Sequence, residues 1–232
     1  MKTRLIVIVV IVVILLAIVV IIVGIPILQR ILVMTLADTV LDSRDEEGLP
    51  KTVETEGPPT ALEAYELIAP VAIQWSSDSY LWRVSSNIQN LTDRPTKGPG
   101  VGIDGRIREH GVWVFQFVSD AKGRQLAVTV TAYGDLTTKS MALVETVSSY
   151  PVLEPGWCDS SKAMAIAEGE AGETFRSDRG LMLDIQFDLR DHTHQSSQQL
   201  WWIHYMAASP DGGRLHIYID PISGDVVDVI TQ

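Results

Sequence analysis

The sequence predicts an α+β protein in which an N-terminal transmembrane helix is followed by two tandem repeats, each a helix packed on an antiparallel sheet. Three observations lead to this prediction: a long apolar run at the N-terminus, a similarity between two later segments, and a change from helical to alternating patterns within each segment. We therefore divide the 232 residues into an anchor with its extension over 1–42, a linker over 43–59, and repeats over 60–150 and 151–232.

The apolar run covers residues 5–28 and contains no charged side chain. A helix of these 24 residues, rising about 1.5 Å per residue, is long enough for the ~30 Å hydrocarbon core of a bilayer. A secretory signal has an apolar core of only about 7–15 residues, so we expect an uncleaved, single-pass signal anchor in the cell membrane. Lys2 and Arg4 precede the run, which predicts a cytoplasmic N-terminus and an extracytoplasmic C-terminal region.

Composition excludes several classes of function. The net charge is −11, and all 29 acidic residues lie at or after Asp38, so the exported region lacks the basic surface that a nucleic-acid partner requires. Cys158 is the single cysteine, which excludes an intramolecular disulfide and a multi-cysteine metal site. Residues 43–59 are rich in Glu, Asp, Gly and Pro, a composition typical of a solvated linker.

The two repeats are predicted from an alignment that places Trp113 on Trp202. The segment W-V-F-Q-F-V-S-D-A-K-G-R-Q-L-A-V-T-V then matches W-I-H-Y-M-A-A-S-P-D-G-G-R-L-H-I-Y-I without a gap. Gly123 coincides with Gly212, so each segment predicts strand, glycine-containing turn and strand, the pattern of a β-hairpin.

A helix and a further strand are predicted before each hairpin. Thr60 is the expected N-cap of the first helix, with Glu63 completing a capping box. Ser160 or Ser161 is the expected N-cap of the second helix. The additional strands cover residues 80–88 and 181–189.

Strand alternation then predicts which side chains share a face. The expected core residues are Trp113, Phe115, Phe117, Leu126, Val128 and Val130 in the first repeat, and Trp202, His204, Met206, Leu215, Ile217 and Ile219 in the second. The opposite face of the second hairpin carries Trp201, Tyr205, His216 and Tyr218. These aromatic side chains predict a contact with a protein or peptide partner, and the alternative is that this face packs against the first repeat.

The end of the chain resembles the PepSY domain family. The resemblance depends on the second predicted helix, on W-W-I-H-Y, and on a closing I-Y-I-D-P-I-S-G-D-V-V, in which Asp220, Ser223, Gly224 and Val226 match the pattern D-x-x-[TS]-G-x-V. It covers residues 158–230, and it reaches residues 60–138 only through the internal repeat, where Thr131 replaces the aspartate. Asp220 is expected to accept backbone N–H groups, and Gly224 to take a positive φ. The resemblance implies a protein that restrains or regulates a protease, without catalytic residues.

Motifs that would indicate catalysis are missing from the sequence. It contains no H-E-x-x-H, G-x-S-x-G or P-loop pattern, so we do not expect an enzyme. His192 and His194 could share a metal ion if they lay on a strand, but their polar surroundings favour a connecting loop, and we predict no metal and no cofactor. His204 on the predicted core face is expected to bond to the backbone, with a pH-sensing or ligand-binding role as the alternative. Asn90 begins a glycosylation sequon.

These observations predict a membrane-anchored, extracytoplasmic binding or regulatory protein that restrains or modulates a protease, or binds a peptide. The expected partners are the lipid bilayer, through residues 5–28, and a protease or another envelope protein. A structural or assembly subunit of a cell-envelope complex is the alternative, and a hydrolase with a dispersed Ser/His/Asp site is a weaker one.

Overall fold

A computed structural model describes residues 44–88, 100–143, 152–153, 155–180, 182–191, 199–208 and 211–232. Residues Arg44–Gln232 cluster as one compact unit. The segment predicted to cross the membrane, residues 5–28, lies outside the described residues, as do Asn90, His192 and His194. Within the described ranges, no helix is both long and apolar enough to span a bilayer.

Nine strands and three helical segments make up the described structure. The strands are β1 (Arg44–Asp45), β2 (Tyr80–Ile88), β3 (Gly111–Ser119), β4 (Arg124–Thr131), β5 (Leu136–Ala142), β6 (Met182–Asp191), β7 (Gln199–Ala207), β8 (Arg214–Ile219) and β9 (Val226–Thr231). The helices are α1 (Ala61–Trp75), α2 (Ser160–Ala167) and α3 (Glu173–Arg179), and a π-helical turn, Glu168–Gly172, joins α2 to α3.

All nine strands belong to one antiparallel sheet in the order β1-β5-β4-β3-β2-β6-β7-β8-β9. The prediction of two separate helix-on-sheet repeats behind a transmembrane helix is therefore wrong. Strands β2–β5 form a first meander and strands β6–β9 a second, and the two join through antiparallel pairing of β2 with β6, where Val84 faces Leu189 and Ser85 faces Asp188. This pairing satisfies backbone groups that two separate sheets would leave exposed along their edges.

Part of the segment predicted as a linker is also paired with the sheet. Strand β1 pairs with β5, the N–H of Leu136 donates to the carbonyl of Lys51 at 2.7 Å, and the N–H of Val53 donates to the carbonyl of Gly134 at 2.9 Å. The chain therefore lies along the outer edge of the first meander before it enters α1.

The helices lie on one face of the sheet and form the core with it. In the first meander the six residues predicted for the core are all buried: Trp113, Phe115, Phe117, Leu126, Val128 and Val130. Side chains of α1 that include Ala64 and Ile68 pack against them. This part of the prediction is confirmed.

In the second meander, the predicted register of β7 is wrong by one residue. Trp201, Ile203 and Tyr205 face the core, and they pair with Ile219, Ile217 and Leu215. The predicted core residues Trp202, His204 and Met206 point to the opposite face, because neighbouring strand residues alternate.

The cause of this error is the length of the hairpin connection. Trp113 pairs with Val130, 17 residues later, whereas Trp201 pairs with Ile219, 18 residues later. A gapless alignment cannot include the extra residue, so it shifts β7 by one position and inverts its faces. Trp113 is therefore equivalent to Trp201 and not to Trp202.

The N-termini of the two helices meet at Asp159. Thr60 and Glu63 form the predicted capping box at the start of α1. The N-cap of α2 is Asp159, not the predicted Ser160 or Ser161. Its Oδ1 atom accepts from the N–H of Ser160 at 2.7 Å and from the N–H of Leu62 in α1 at 3.0 Å. One carboxylate therefore stabilises the positive ends of both helix dipoles.

Candidate functional site

The face of the sheet opposite the helices, called here the open face, carries four aromatic or imidazole rings on two neighbouring strands of the second meander. These rings belong to Trp202 and His204 on β7 and to His216 and Tyr218 on β8. Trp202 pairs directly with Tyr218, and His204 with His216. Adjacent strands lie about 4.8 Å apart, so their side chains on one face form a continuous surface. We call these four residues the ring array.

The rings of the array are nearly parallel to one another. Ring centroids are 5.5 Å apart for Trp202 and His204, with an interplanar angle of 6°, and 4.5 Å apart for His204 and His216, with an angle of 10°. The Trp202 and Tyr218 rings are 6.5 Å apart with an angle of 15°. The array is therefore a row of aligned planar groups, with the two imidazoles buried and the Trp202 and Tyr218 rings half-buried.

Both imidazoles are held in the neutral state. Burial, with smaller contributions from the neighbouring His216 and Arg214, lowers the pKa of His204 to about 4. Burial also lowers the pKa of His216, while the nearby Gln232 acts in the opposite direction. The Nε1–H of Trp202 donates to Nδ1 of His216 at 2.9 Å, which requires that this nitrogen carry no proton.

His204 does not form the backbone hydrogen bond expected of a core histidine. Its Nε2 atom is buried without a hydrogen-bond partner among the described residues. Such an unsatisfied atom is unusual in folded proteins, and here it belongs to the ring array on the open face.

A buried ion pair lies beside the array. Asp188 on β6 pairs with Trp202 across the strands, and its side chain is only 5% exposed. Arg83 on β2 donates from Nε and Nη2 to the two carboxylate oxygens of Asp188, at 2.8 and 2.7 Å. Arg190 approaches the same carboxylate at 3.2 Å. This bidentate pair connects the two meanders on the open face.

The four residues predicted as a partner-binding face do not lie together. His216 and Tyr218 belong to the ring array, but Trp201 and Tyr205 are fully buried on the helical side. The Nε1–H of Trp201 donates to the carbonyl of Cys158 at 2.9 Å, and its ring meets those of Trp157 and Phe187 edge-on, with centroids 5.8 and 5.6 Å away. Trp201 is thus a core residue, which corrects the predicted exposure.

Tyr205 is fixed against the π-helical turn. Its hydroxyl donates to Oε1 of Glu168 at 2.9 Å, and Glu168 also forms an ion pair with Arg176. Burial, with the nearby carboxylate, raises the pKa of Tyr205. A Cβ on Gly172 would lie 2.5 Å from the Tyr205 hydroxyl, so the glycine provides the space that this contact needs.

Sequence reasoning did not place Trp202, Arg83 or Asp188 in a site, and it gave His204 a functional role only as the alternative to a core residue. Trp202 and His204 were assigned to the core because of the register error. Asp188 lies within the predicted strand over residues 181–189, but its partner Arg83 lies 105 positions away in the sequence. No local pattern identifies a pair that is formed by the junction of the two meanders.

The predicted turn after β8 has the expected geometry. Oδ1 of Asp220 accepts from the N–H of Ile222 at 2.8 Å and from that of Ser223 at 2.9 Å, and Gly224 has φ +83°. These hydrogen bonds lower the pKa of Asp220. Val226 begins β9 directly after the turn. The motif residues therefore shape the connection between β8 and the edge strand β9.

The remaining candidates offer no further site. Cys158 is half-buried and free, and burial raises the pKa of its thiol. The part of the chain that the structure describes contains no group of three or more His, Cys, Asp or Glu side chains placed to hold a metal ion.

Comparison with known proteins adds little to this description. The chain matches no protein-family model and no curated protein. Among solved structures, it is similar to the crystal structure of a "putative lipoprotein" from Clostridium difficile 630, with 14% sequence identity and a TM-score of 0.49, over 79% of this chain and 100% of that chain. A likeness at this level carries no argument about function. The resemblance to PepSY domains stays a prediction.

Proposed function

We propose that this protein is an extracytoplasmic binding or regulatory protein that holds a peptide or protein partner, such as a protease domain, against the ring array. The apolar segment over residues 5–28 is the proposed attachment to the lipid bilayer. The observation that carries the proposal is the aligned surface formed by Trp202, His204, His216 and Tyr218 on a face of the sheet that the helices do not cover.

The chemistry of the array suits a binding surface. Trp and Tyr side chains provide large contact areas with little conformational entropy to lose, and Trp, Tyr and Arg dominate the energetics of protein interfaces. The two neutral imidazoles extend the planar surface without adding charge. Arg83 and Arg190, held by Asp188, add polar groups at its border, which is the arrangement of a polar rim beside an aromatic centre.

Cross-linking in membranes followed by affinity purification of the full-length protein tests this proposal. Trp202→Ala should reduce capture of the partner by about tenfold or more, because loss of a central aromatic residue typically costs about 2 kcal/mol of binding free energy. Tyr133→Ala is the matched control, since Tyr133 is 68% exposed and belongs to the first meander. Equal capture by both variants would contradict the proposal.

A structural or assembly subunit of an envelope complex is the second candidate. The exposed apolar side chains of β9, Val227 and Val229, lie on an edge strand of the sheet and favour a protein that joins others at that edge. The same purification separates the candidates. A protease or peptide that depends on Trp202 supports the binding function, whereas a stable multi-protein complex that survives Trp202→Ala supports the assembly function.

A further inference from the structure

A polar pocket lies on the open face where the two meanders join. It has a volume of about 320 Å³, and its lining includes Arg83 and Ser85 of β2, Gln116 of β3, Gln186 and Asp188 of β6, and the ring of Trp202 on β7. We call it the seam pocket. Pockets that bind small molecules start at about 300 Å³, so this one has room for a single small ring.

Several polar atoms in the seam pocket lack partners within the described part of the chain. Oε1 of Gln116 is buried and accepts no hydrogen bond. The amide nitrogen of Gln186 donates to Asp184 at 2.6 Å, and this leaves its Oε1 oxygen available as an acceptor. Arg83 uses Nε and Nη2 for Asp188, which leaves Nη1 available as a donor. A small pocket that offers both unpaired hydrogen-bond donors and unpaired acceptors suits a ligand that itself donates and accepts hydrogen bonds.

From these groups we propose that the seam pocket binds a neutral sugar ring, a pyranose unit of a glycan. A sugar hydroxyl donates and accepts at the same time, and neighbouring hydroxyls suit the planar groups of Gln116, Gln186 and Arg83. The C–H face of a pyranose is apolar and fits against an aromatic wall, which Trp202 provides. This site is distinct from the protein contact proposed for the ring array, although Trp202 borders both.

Two other ligand classes fit the pocket less well. A peptide that extends a sheet needs a free edge strand, but β2 and β6 both lie inside the sheet, with β3 and β7 as their other neighbours. An anion would need a free cation, but Asp188 already accepts two charge-assisted hydrogen bonds from Arg83 and an ion pair from Arg190. The Asp188 carboxylate offsets one of the two guanidinium charges and occupies the Nε and Nη2 edge of Arg83 that a bidentate carboxylate or phosphate would require.

Saturation-transfer NMR with the full-length protein, in a detergent without a sugar headgroup, tests the proposal. The probes are glucose, galactose, mannose and N-acetylglucosamine, each titrated separately. We expect saturation transfer to the ring C–H protons of at least one probe, because these protons would lie against Trp202. Gln116→Ala should weaken that binding about tenfold, since one hydrogen bond is lost and its partner is left unpaired.

Gln125→Ala is the matched control, because Gln125 lies on the open face of the neighbouring strand β4 but outside the pocket. It should bind the probe as the wild type does. If Gln116→Ala lowers the melting temperature, Gln186→Ala replaces it with the same expectation. The proposal is overturned if no probe shows saturation transfer, if Gln116→Ala and Gln186→Ala bind like the wild type, or if only glucuronate or an aspartate-rich peptide binds. Partner capture through the ring array is measured separately, so either proposal can fail without the other.

Discussion

The two meanders have similar helical faces and different open faces. On the helical side, each meander buries a tryptophan at the equivalent position of its second strand, Trp113 in β3 and Trp201 in β7. On the open side, β3 and β4 of the first meander carry Val114, Gln116, Ala127 and Thr129, whereas β7 and β8 of the second carry the ring array. The helical face is constrained because its side chains must fill a close-packed core. The helices do not cover the open face, and the proposed binding surface lies where the two meanders differ.

The largest expected effect separates the two faces of β7. Trp201→Ala removes a fully buried ring and should lower the free energy of unfolding by about 3–5 kcal/mol. Trp202→Ala removes a half-buried ring and should cost no more than about 2 kcal/mol. Urea unfolding followed by circular dichroism measures both, and Trp113→Ala is the matched control, which should resemble Trp201→Ala. A greater loss from Trp202→Ala would reverse the assignment of the two faces.

The second prediction concerns pH, because the open face of the second meander contains two buried histidines. An unfolded histidine takes up a proton below about pH 6.5, but His204 remains neutral in the folded protein until its pKa of about 4. The unfolded state therefore binds more protons between these values. Stability contributed by neutral His204 should be complete above pH 6.5, fall as the pH decreases, and level off below pH 4. The loss amounts to at most about 3 kcal/mol.

His204→Phe retains a planar ring and removes the titrating group, so its stability should depend less on pH across this window. Tyr218→Phe is the control from the same array, because burial raises the pKa of Tyr218 and keeps it uncharged at these pH values. Chemical denaturation at pH 7, 5.5 and 4 gives the comparison. If the free energy of unfolding changes equally with pH in the wild type and in His204→Phe, His204 is not buried in the neutral form.

Local structure was predictable where neighbouring residues determine it. The bounds of β2 agree with the predicted strand over residues 80–88, the capping box at Thr60 forms as expected, and the core face of the first hairpin is correct. These features depend on alternation, capping and turn chemistry within short segments. The sequence pattern at residues 220–226 likewise predicts the turn after β8.

The single sheet and the candidate site depend on contacts between distant residues. Pairing of β2 with β6 brings together residues about 100 positions apart in the sequence, such as Ser85 and Asp188, and no local pattern specifies it. The ring array requires the correct register of β7, which one additional residue in the hairpin connection changes. Because the period of a strand is two, this small error moved Trp202 and His204 from the open face to the predicted core.

The smallest expected effect compares the turn between β4 and β5 with the turn between β8 and β9. Asp220 accepts two backbone N–H groups at 2.8 and 2.9 Å, and Thr131 takes the equivalent role with Tyr133 and Asp135 at 3.2 and 3.1 Å. A carboxylate forms stronger hydrogen bonds than a hydroxyl. Asp220→Ala should therefore cost about 1–2 kcal/mol of unfolding free energy, and Thr131→Ala about 0.5–1 kcal/mol.

Asp220→Asn distinguishes charge from geometry in this comparison. The amide oxygen of Asn can still accept both N–H groups. If the negative charge provides about half of the stabilisation, Asp220→Asn should lower the free energy of unfolding by about half as much as Asp220→Ala does. Because hydrogen bonding lowers the pKa of Asp220, the advantage of the wild type over Asp220→Asn should be present above the ordinary aspartate pKa of about 4 and be lost as the pH falls through the lower pKa of the folded state. Urea unfolding at pH 7 and pH 3 measures this difference. If Asp220→Asn equals Asp220→Ala at both pH values, the turn depends on the charged carboxylate alone, and the hydroxyl of Thr131 is not its functional equivalent.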